Sequence, residues 1–158
     1  MRSSGTRIAG RAGAVALALL AVTAAAAAAD PRFGIHAGVW TEDGDPLVGA
    51  EIVLPLDNPR WAIVPSVEFV PGDGVDRWIV NADGTYELDL DTKADVWVGG
   101  GLAVLFTDHE RHSDDTNLGA NLLAGAGIET SSGLFPYLQA KAVISEDSSL
   151  AVALGLRF

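Results

Sequence analysis

The sequence of 158 residues contains no cysteine, so neither a disulfide framework nor a thiolate metal centre can hold it together. Basic residues are scarce. Ten lysines and arginines face 21 aspartates and glutamates, for a formal charge of −11, which is the wrong sign for a nucleic-acid surface. Long apolar runs are also missing after Asp30, where nothing approaches the roughly 20 residues of a spanning helix. Yet 49% of the chain is hydrophobic. That apolar content must therefore be spread over short segments, as in a water-soluble β protein or a barrel that crosses a membrane with strands.

The chain opens with an address. Arg2, Arg7 and Arg11 give a positive start with no acidic residue, an apolar stretch runs from about Ala14 to Val22, and Ala27-Ala28-Ala29 precede Asp30. This is the pattern of a cleaved secretory signal peptide over 1–29, with 30–158 as one domain. No cysteine follows that could carry a lipid. All 21 acidic residues and seven of the ten basic ones lie in 30–158, which then carries −14.

Beyond Asp30 the hydrophobic period is 2, not 3.6. Eight alternating segments follow one another: Arg32–Trp40, Leu47–Leu56, Trp61–Val70, Arg77–Leu90, Val96–Phe106, Thr116–Glu129, Phe135–Ile144 and Ser149–Phe158. Each has one apolar face, such as Leu150, Val152, Leu154 and Leu156 in the last. The opposite face is mostly small or polar, such as Ala151, Ala153, Gly155 and Arg157. Gly44-Asp45-Pro46, Asp57-Asn58-Pro59, Pro71-Gly72-Asp73-Gly74 and Ser131-Ser132-Gly133 mark connections. Asp83-Gly84 is a possible hairpin turn, but alternation passes through it without a change of parity, so the fourth segment reads as one strand.

Alternation alone does not say which face is outside. A soluble sandwich or calycin turns the apolar face inward, and a membrane barrel reverses this. Three features favour the reversal. The second face is rich in glycine and alanine and poor in lysine, which suits the cramped interior of eight strands. Aromatics collect at strand ends, with Phe33, Trp61, Phe135 and Phe158 near one rim and Trp40, Phe69, Trp78 and Phe106 near the other. The chain also stops on an alternating apolar strand ending in phenylalanine.

That ending, Leu154-Gly155-Leu156-Arg157-Phe158, resembles the closing strand of bacterial outer-membrane proteins. Val98-Gly99-Gly100-Gly101-Leu102 and Gly119-Ala120-Asn121-Leu122-Leu123-Ala124-Gly125 resemble strands of small barrels of the OmpA or OmpX kind. The resemblance implies an all-β, eight-stranded antiparallel up-and-down transmembrane β-barrel in the cell outer membrane. It implies contact with outer-membrane lipid, with the barrel-assembly machinery reading the C-terminal strand. Both termini would face the periplasm, with outward loops at about 41–46, 71–76, 107–115 and 145–148. Phe33, Trp61, Trp78, Phe106 and Phe158 are the expected membrane-interface aromatics.

The inner face collects Glu51, Glu68, Asp83, Glu87, Asp89 and Glu129 with His36, Arg77, Lys141 and Arg157. Charges in a closed lumen must pair or be hydrated. A salt-bridge network filling the barrel is expected, against a narrow cation-favouring water path. The third outward loop holds His109, His112, Ser113, Asp114 and Asp115, residue types that bind divalent metal or serve hydrolysis. Lipid A deacylases among outer-membrane barrels carry a His-x-Ser arrangement on a strand, whereas His112 and Ser113 are adjacent in a polar loop. Gly99-Gly100-Gly101 lies mid-strand with no following helix, so no phosphate-cradling motif is present. The expectation is a non-enzymatic barrel, structural or adhesive, without a cofactor. The alternatives are a soluble secreted barrel binding an apolar ligand and a lipid-modifying outer-membrane enzyme.

Overall fold

The computed structural model describes residues 30–42, 44–72, 75–109, 115–145 and 148–158. The expected signal segment and the core of the third loop, 110–114, lie outside the described residues. The strands are β1 (Arg32–Trp40), β2 (Asp45–Pro55), β3 (Trp61–Val70), β4 (Val75–Leu88), β5 (Asp95–His109), β6 (Asp115–Gly127), β7 (Phe135–Ile144) and β8 (Ser149–Arg157). They form a closed barrel in sequence order, every neighbour antiparallel, with β8 pairing back onto β1. The seam ends on a reciprocal pair: Phe33 N donates to Phe158 O at 3.1 Å and Phe158 N to Phe33 O at 2.9 Å.

The alternation seen in the sequence becomes the two faces of this sheet. Asp83-Gly84 does not split β4: Asp83 pairs with Val64 and Gly101, and Gly84 with Ile63 and Gly100. Boundaries move where pattern and pairing differ. β4 starts two residues earlier than its alternation suggests and stops at Leu88, so Asp89 falls in the turn. β5 runs on to His109 because Thr107, Asp108 and His109 still pair with Arg77, Asp76 and Val75. Tight connections need left-handed backbone at Gly44 (φ 73°) and Gly133 (φ 79°), where a side chain would be strained.

One end of the barrel, the loop end, is where β1 leads to β2, β3 to β4, β5 to β6 and β7 to β8. The other, the turn end, carries 56–60, 89–94 and 128–134 together with residues 30 and 158. The outer surface is apolar around the circumference, with Leu118 78%, Leu102 69% and Leu154 68% exposed. In water such a surface would drive association. Facing hydrocarbon it is the stable arrangement, and closure leaves no unpaired sheet edge.

The inner face is richer in apolar side chains than the alternation suggested, and it is layered. At the loop end Trp40, Leu47, Val70, Ile79, Leu105 and Val143 pack together across the bore. At the turn end Trp97, Leu123, Phe135 and Tyr137 form a second apolar layer. The buried polar residues pack against both: Lys141 pairs with Ala151 of the first cluster and Arg157 with Phe135 of the second.

Candidate functional site

The polar layer is assembled from seven strands. Arg157 on β8 donates from Nε to Glu51 Oε1 on β2 at 2.7 Å. Lys141 on β7 crosses the bore to Glu68 Oε1 on β3 at 2.5 Å, and its Nζ lies 3.6 Å from Asp83 Oδ2 on β4. His36 on β1 puts Nε2 3.5 Å from the same Glu68 oxygen and Nδ1 3.4 Å from the Tyr137 hydroxyl. Asn121 Nδ2 donates to Asp83 Oδ1 at 2.7 Å and Asn81 Oδ1 at 2.9 Å, and Asn81 Nδ2 donates to Ser66 Oγ at 3.1 Å. All these side chains are buried. Glu68 Oε2 and Asn121 Oδ1 have no hydrogen-bond partner among the described residues.

Glycine makes these contacts possible. Six contacts skip one strand, and in five of them a single glycine on the intervening strand pairs with both partners. Gly34 pairs with both Glu51 and Arg157, and Gly49 with both His36 and Glu68. Gly101 pairs with both Asp83 and Asn121. Gly155 separates Tyr137 from His36, and Gly125 separates Trp97 from Gln139, which accepts from Trp97 Nε1 at 3.2 Å. A Cβ at any of the five would collide with a partner side chain. The glycines first noticed as merely small are the gaps over which second-neighbour side chains join.

The cations also meet rings. The Arg157 guanidinium lies 4.5 Å from the Tyr137 ring centre, 4.6 Å from Trp97 and 5.8 Å from Phe135, distances at which the ring quadrupole attracts a cation. Arg157 thus ties the polar layer to the turn-end aromatic layer.

Of the lumen residues read from the sequence, the structure gathers Glu51, Glu68, Lys141 and Arg157 in this buried set, with His36 and Asp83. It does not bring Glu87, Asp89 and Glu129 into it. These three are exposed at the turn end. Asp89 pairs with Arg60 (Nη2–Oδ2 2.5 Å) and Glu129 with Arg32 (3.4 Å). Their parity is inward, but they stand at or beyond the strand ends, where the lumen opens to solvent. Outside the bore, beside Asp89, the Arg60 guanidinium is held above its ordinary pKa by that carboxylate's hydrogen bond. Arg77 lies at the opposite end, 3.6 Å from Asp45.

Phe33, Trp61, Trp78, Phe106 and Phe158 all stand on the outward face near strand ends, joined by Phe69 and Tyr86. Phe69 packs on Trp78 (centroids 4.7 Å) and Trp61 on Tyr86 (4.9 Å). Two expected rim aromatics belong elsewhere. Trp40 and Phe135 are 3% and 4% exposed and fill the lumen, because their parity is inward. For these two, parity is the better guide to position than nearness to a strand end.

Among the described residues, Ser66 is bonded to Asn81 and His36 to Tyr137 and Glu68, so the lumen brings no serine against a histidine. The side chain of His109 and residues 110–114, on which the metal and hydrolytic readings rested, lie outside the described residues.

No family model and no curated protein matches the sequence. Solved structures do share the fold. The N-terminal β-barrel domain of Pseudomonas aeruginosa OprF aligns with a TM-score of 0.69 at 16% identity, covering 81% of this chain and 95% of that one. Neisserial surface protein A (NspA) gives 0.61 at 12%, covering 80% and 93%. The outer membrane enzyme PagL gives 0.55 at 14%, covering 80% and 98%. At such identities the likeness establishes the architecture, a small eight-stranded barrel of the kind found in bacterial outer membranes.

Proposed function

We propose that this chain is a bacterial outer-membrane barrel with a structural or adhesive, non-catalytic role, delivered by a signal peptide over 1–29. Its closing strand would be read by the barrel-assembly machinery. The observation that carries this reading is the inside-out distribution of polarity. Leu102, Leu118 and Leu154 face outward, while Glu51, Glu68, Lys141 and Arg157 are sealed within. The same observation weighs against a soluble barrel holding an apolar ligand, since the outer face is the wrong one for water and the bore is filled by ion pairs.

Filled by side chains and bounded by two apolar layers, the lumen supports a packed pillar rather than a pore. What such a protein presents to its surroundings is its loop end and its lipid-facing wall. Fractionation tests the proposal. The protein should enter detergent-extracted outer membrane and run as a heat-modifiable band, and a fully soluble periplasmic protein would reject it. The fold shared with the enzyme PagL supports one competing reading, lipid modification. Lipid A mass spectra that are identical with and without the gene would remove that reading.

A further inference from the structure

β6 outruns its neighbour β7 at the loop end. Asp115, Thr116, Asn117 and Leu118 pair with Thr107, Phe106, Leu105 and Val104 of β5. On their other side no described strand pairs with them, because the ladder to β7 begins only at Ala120 and Ile144. Within the wall the barrel is closed, but at this rim a strand edge is left. Alternate residues along such an edge aim N–H and C=O away from the ladder, so the stretch presents unused backbone donors and acceptors. Leu118 marks the same gap: at 78% it is the most exposed of the large apolar residues described.

The edge stands at the membrane surface. Phe69 pairs with Trp78, Trp78 with Phe106 and Phe106 with Thr116, so the row of loop-end aromatics reaches β6 at Thr116. Past that row Arg77 still pairs with Thr107, and Asp76 with Asp108, which carries a ribbon of β4, β5 and β6 beyond the interface. Sheet edges are ordinarily guarded by lysine, proline or a bulge. Residues 115–118 include no lysine and no proline, and their register with β5 is unbroken.

We propose that the edge 115–118 is a docking site for an extended segment of another protein, which adds to the ribbon as a further strand. The chain around it is acidic: in sequence, 107–115 carries Asp108, Glu110, Asp114 and Asp115 against Arg111. The segment it takes is therefore basic, with an apolar residue to set beside Leu118. A second copy is the poorer occupant. It brings the same acidic charge. Related by a two-fold axis along the membrane normal, its β6 would run the same way at the same height, so N–H would face N–H. The proposal rests on the membrane reading above and gives the chemistry of the partner that an adhesive barrel of this shape would hold.

The test uses the full mature chain folded in zwitterionic detergent, with its heat-modifiable shift checked first. Failure at that stage is failure of the membrane reading, not of the edge. Amide hydrogen exchange of the free protein comes next. Alternate residues of 115–118 should exchange fast, and slow exchange at all four would mean that the chain covers its own edge, which overturns the proposal. The probe is then a short peptide of alternating valine and lysine, whose binding should slow exchange at 115–118. A peptide with glutamate in place of lysine should bind about tenfold more weakly. One with proline in place of valine lacks the N–H groups a ladder needs and should give no protection. Leu118→Lys and Thr116→Lys each put a guard on the edge at an exposed position, and each should weaken binding of the valine–lysine peptide about tenfold. No binding of that peptide, equal protection by the proline peptide, or binding unchanged by both substitutions overturns the site. Equal binding of the glutamate peptide overturns the basic partner. A dimer in detergent that Leu118→Lys abolishes would give the edge to a second copy instead.

Discussion

Arg157 and Glu51 are joined at 2.7 Å although a whole strand separates them, and the residue beneath their contact is Gly34. A Cβ on residue 34 would stand 2.9 Å from Glu51 Cγ and Oε1 and 3.2 Å from Arg157 Cγ. Gly34→Ala should therefore destabilise by about 1–3 kcal/mol, the usual cost of overpacking. Glu51→Gln or Arg157→Met alone should cost more, about 3–5 kcal/mol, because each strands a buried charge. The double variant should cost less than the two added together. Urea unfolding of the detergent-folded barrel measures all four. A clash at residue 34 outweighing loss of the ion pair would show that the contact contributes little.

Lys141 is the one cation that bridges opposite walls of the described lumen, from β7 to Glu68 on β3 and Asp83 on β4. Lys141→Met should destabilise by about 3–5 kcal/mol, since it leaves two buried carboxylates without their cation. Adding Glu68→Gln to Lys141→Met should restore part of the loss. If Lys141→Met unfolds at the same urea concentration as the parent, the lumen is hydrated enough to screen its charges and the packed-pillar reading fails.

The eight strands were legible because a period of 2 is a geometric consequence of the pleat, and it survives even at Asp83-Gly84. Glu51, Glu68, Lys141 and Arg157 share the inward parity and are buried. Parity could not say how deep an inward residue sits. Glu87, Asp89 and Glu129 share it yet end up in solvent, because depth depends on where neighbouring strands stop. Trp40 and Phe135 show the converse: proximity to a strand end suggested an interface, and parity put them in the bore. The glycine bridges were not legible at all. Gly34 lies far in sequence from both residues that meet over it, and only the register on both sides of β1 brings them together. Had the strand pairing been derived from the turn positions, glycines falling opposite a charged or aromatic residue on both neighbours would have been the signal.

The layers at the two ends predict the electrical behaviour. Trp40, Leu47, Val70, Ile79, Leu105 and Val143 close the loop end, and Trp97, Leu123, Phe135 and Tyr137 the turn end. Purified barrel in planar bilayers should show no steady conductance. Trp97→Ala should remain silent too, because the loop-end layer is untouched. Regular cation-selective steps from the parent would replace the pillar with a narrow channel.

Phe158 contributes a backbone and a ring, and these separate experimentally. Its main chain exchanges two hydrogen bonds with Phe33 and completes the seam, while its side chain is 57% exposed on the outer face. Deleting Phe158 removes both, leaving backbone groups of residue 33 unpaired where hydrocarbon begins, at a cost of several kcal/mol per group. Phe158→Ala removes only the ring. The deletion should lower the heat-modifiable fraction in detergent refolding more than Phe158→Ala does, and more than replacing residues 110–114 with glycine and serine. In cells, the proposed recognition of the terminal aromatic by the assembly machinery predicts that Phe158→Ala also impairs insertion, although its main-chain seam with Phe33 would be kept. Equal insertion of the parent, the deletion and Phe158→Ala would mean that the strand ending at Phe158 neither closes the barrel nor marks it for assembly.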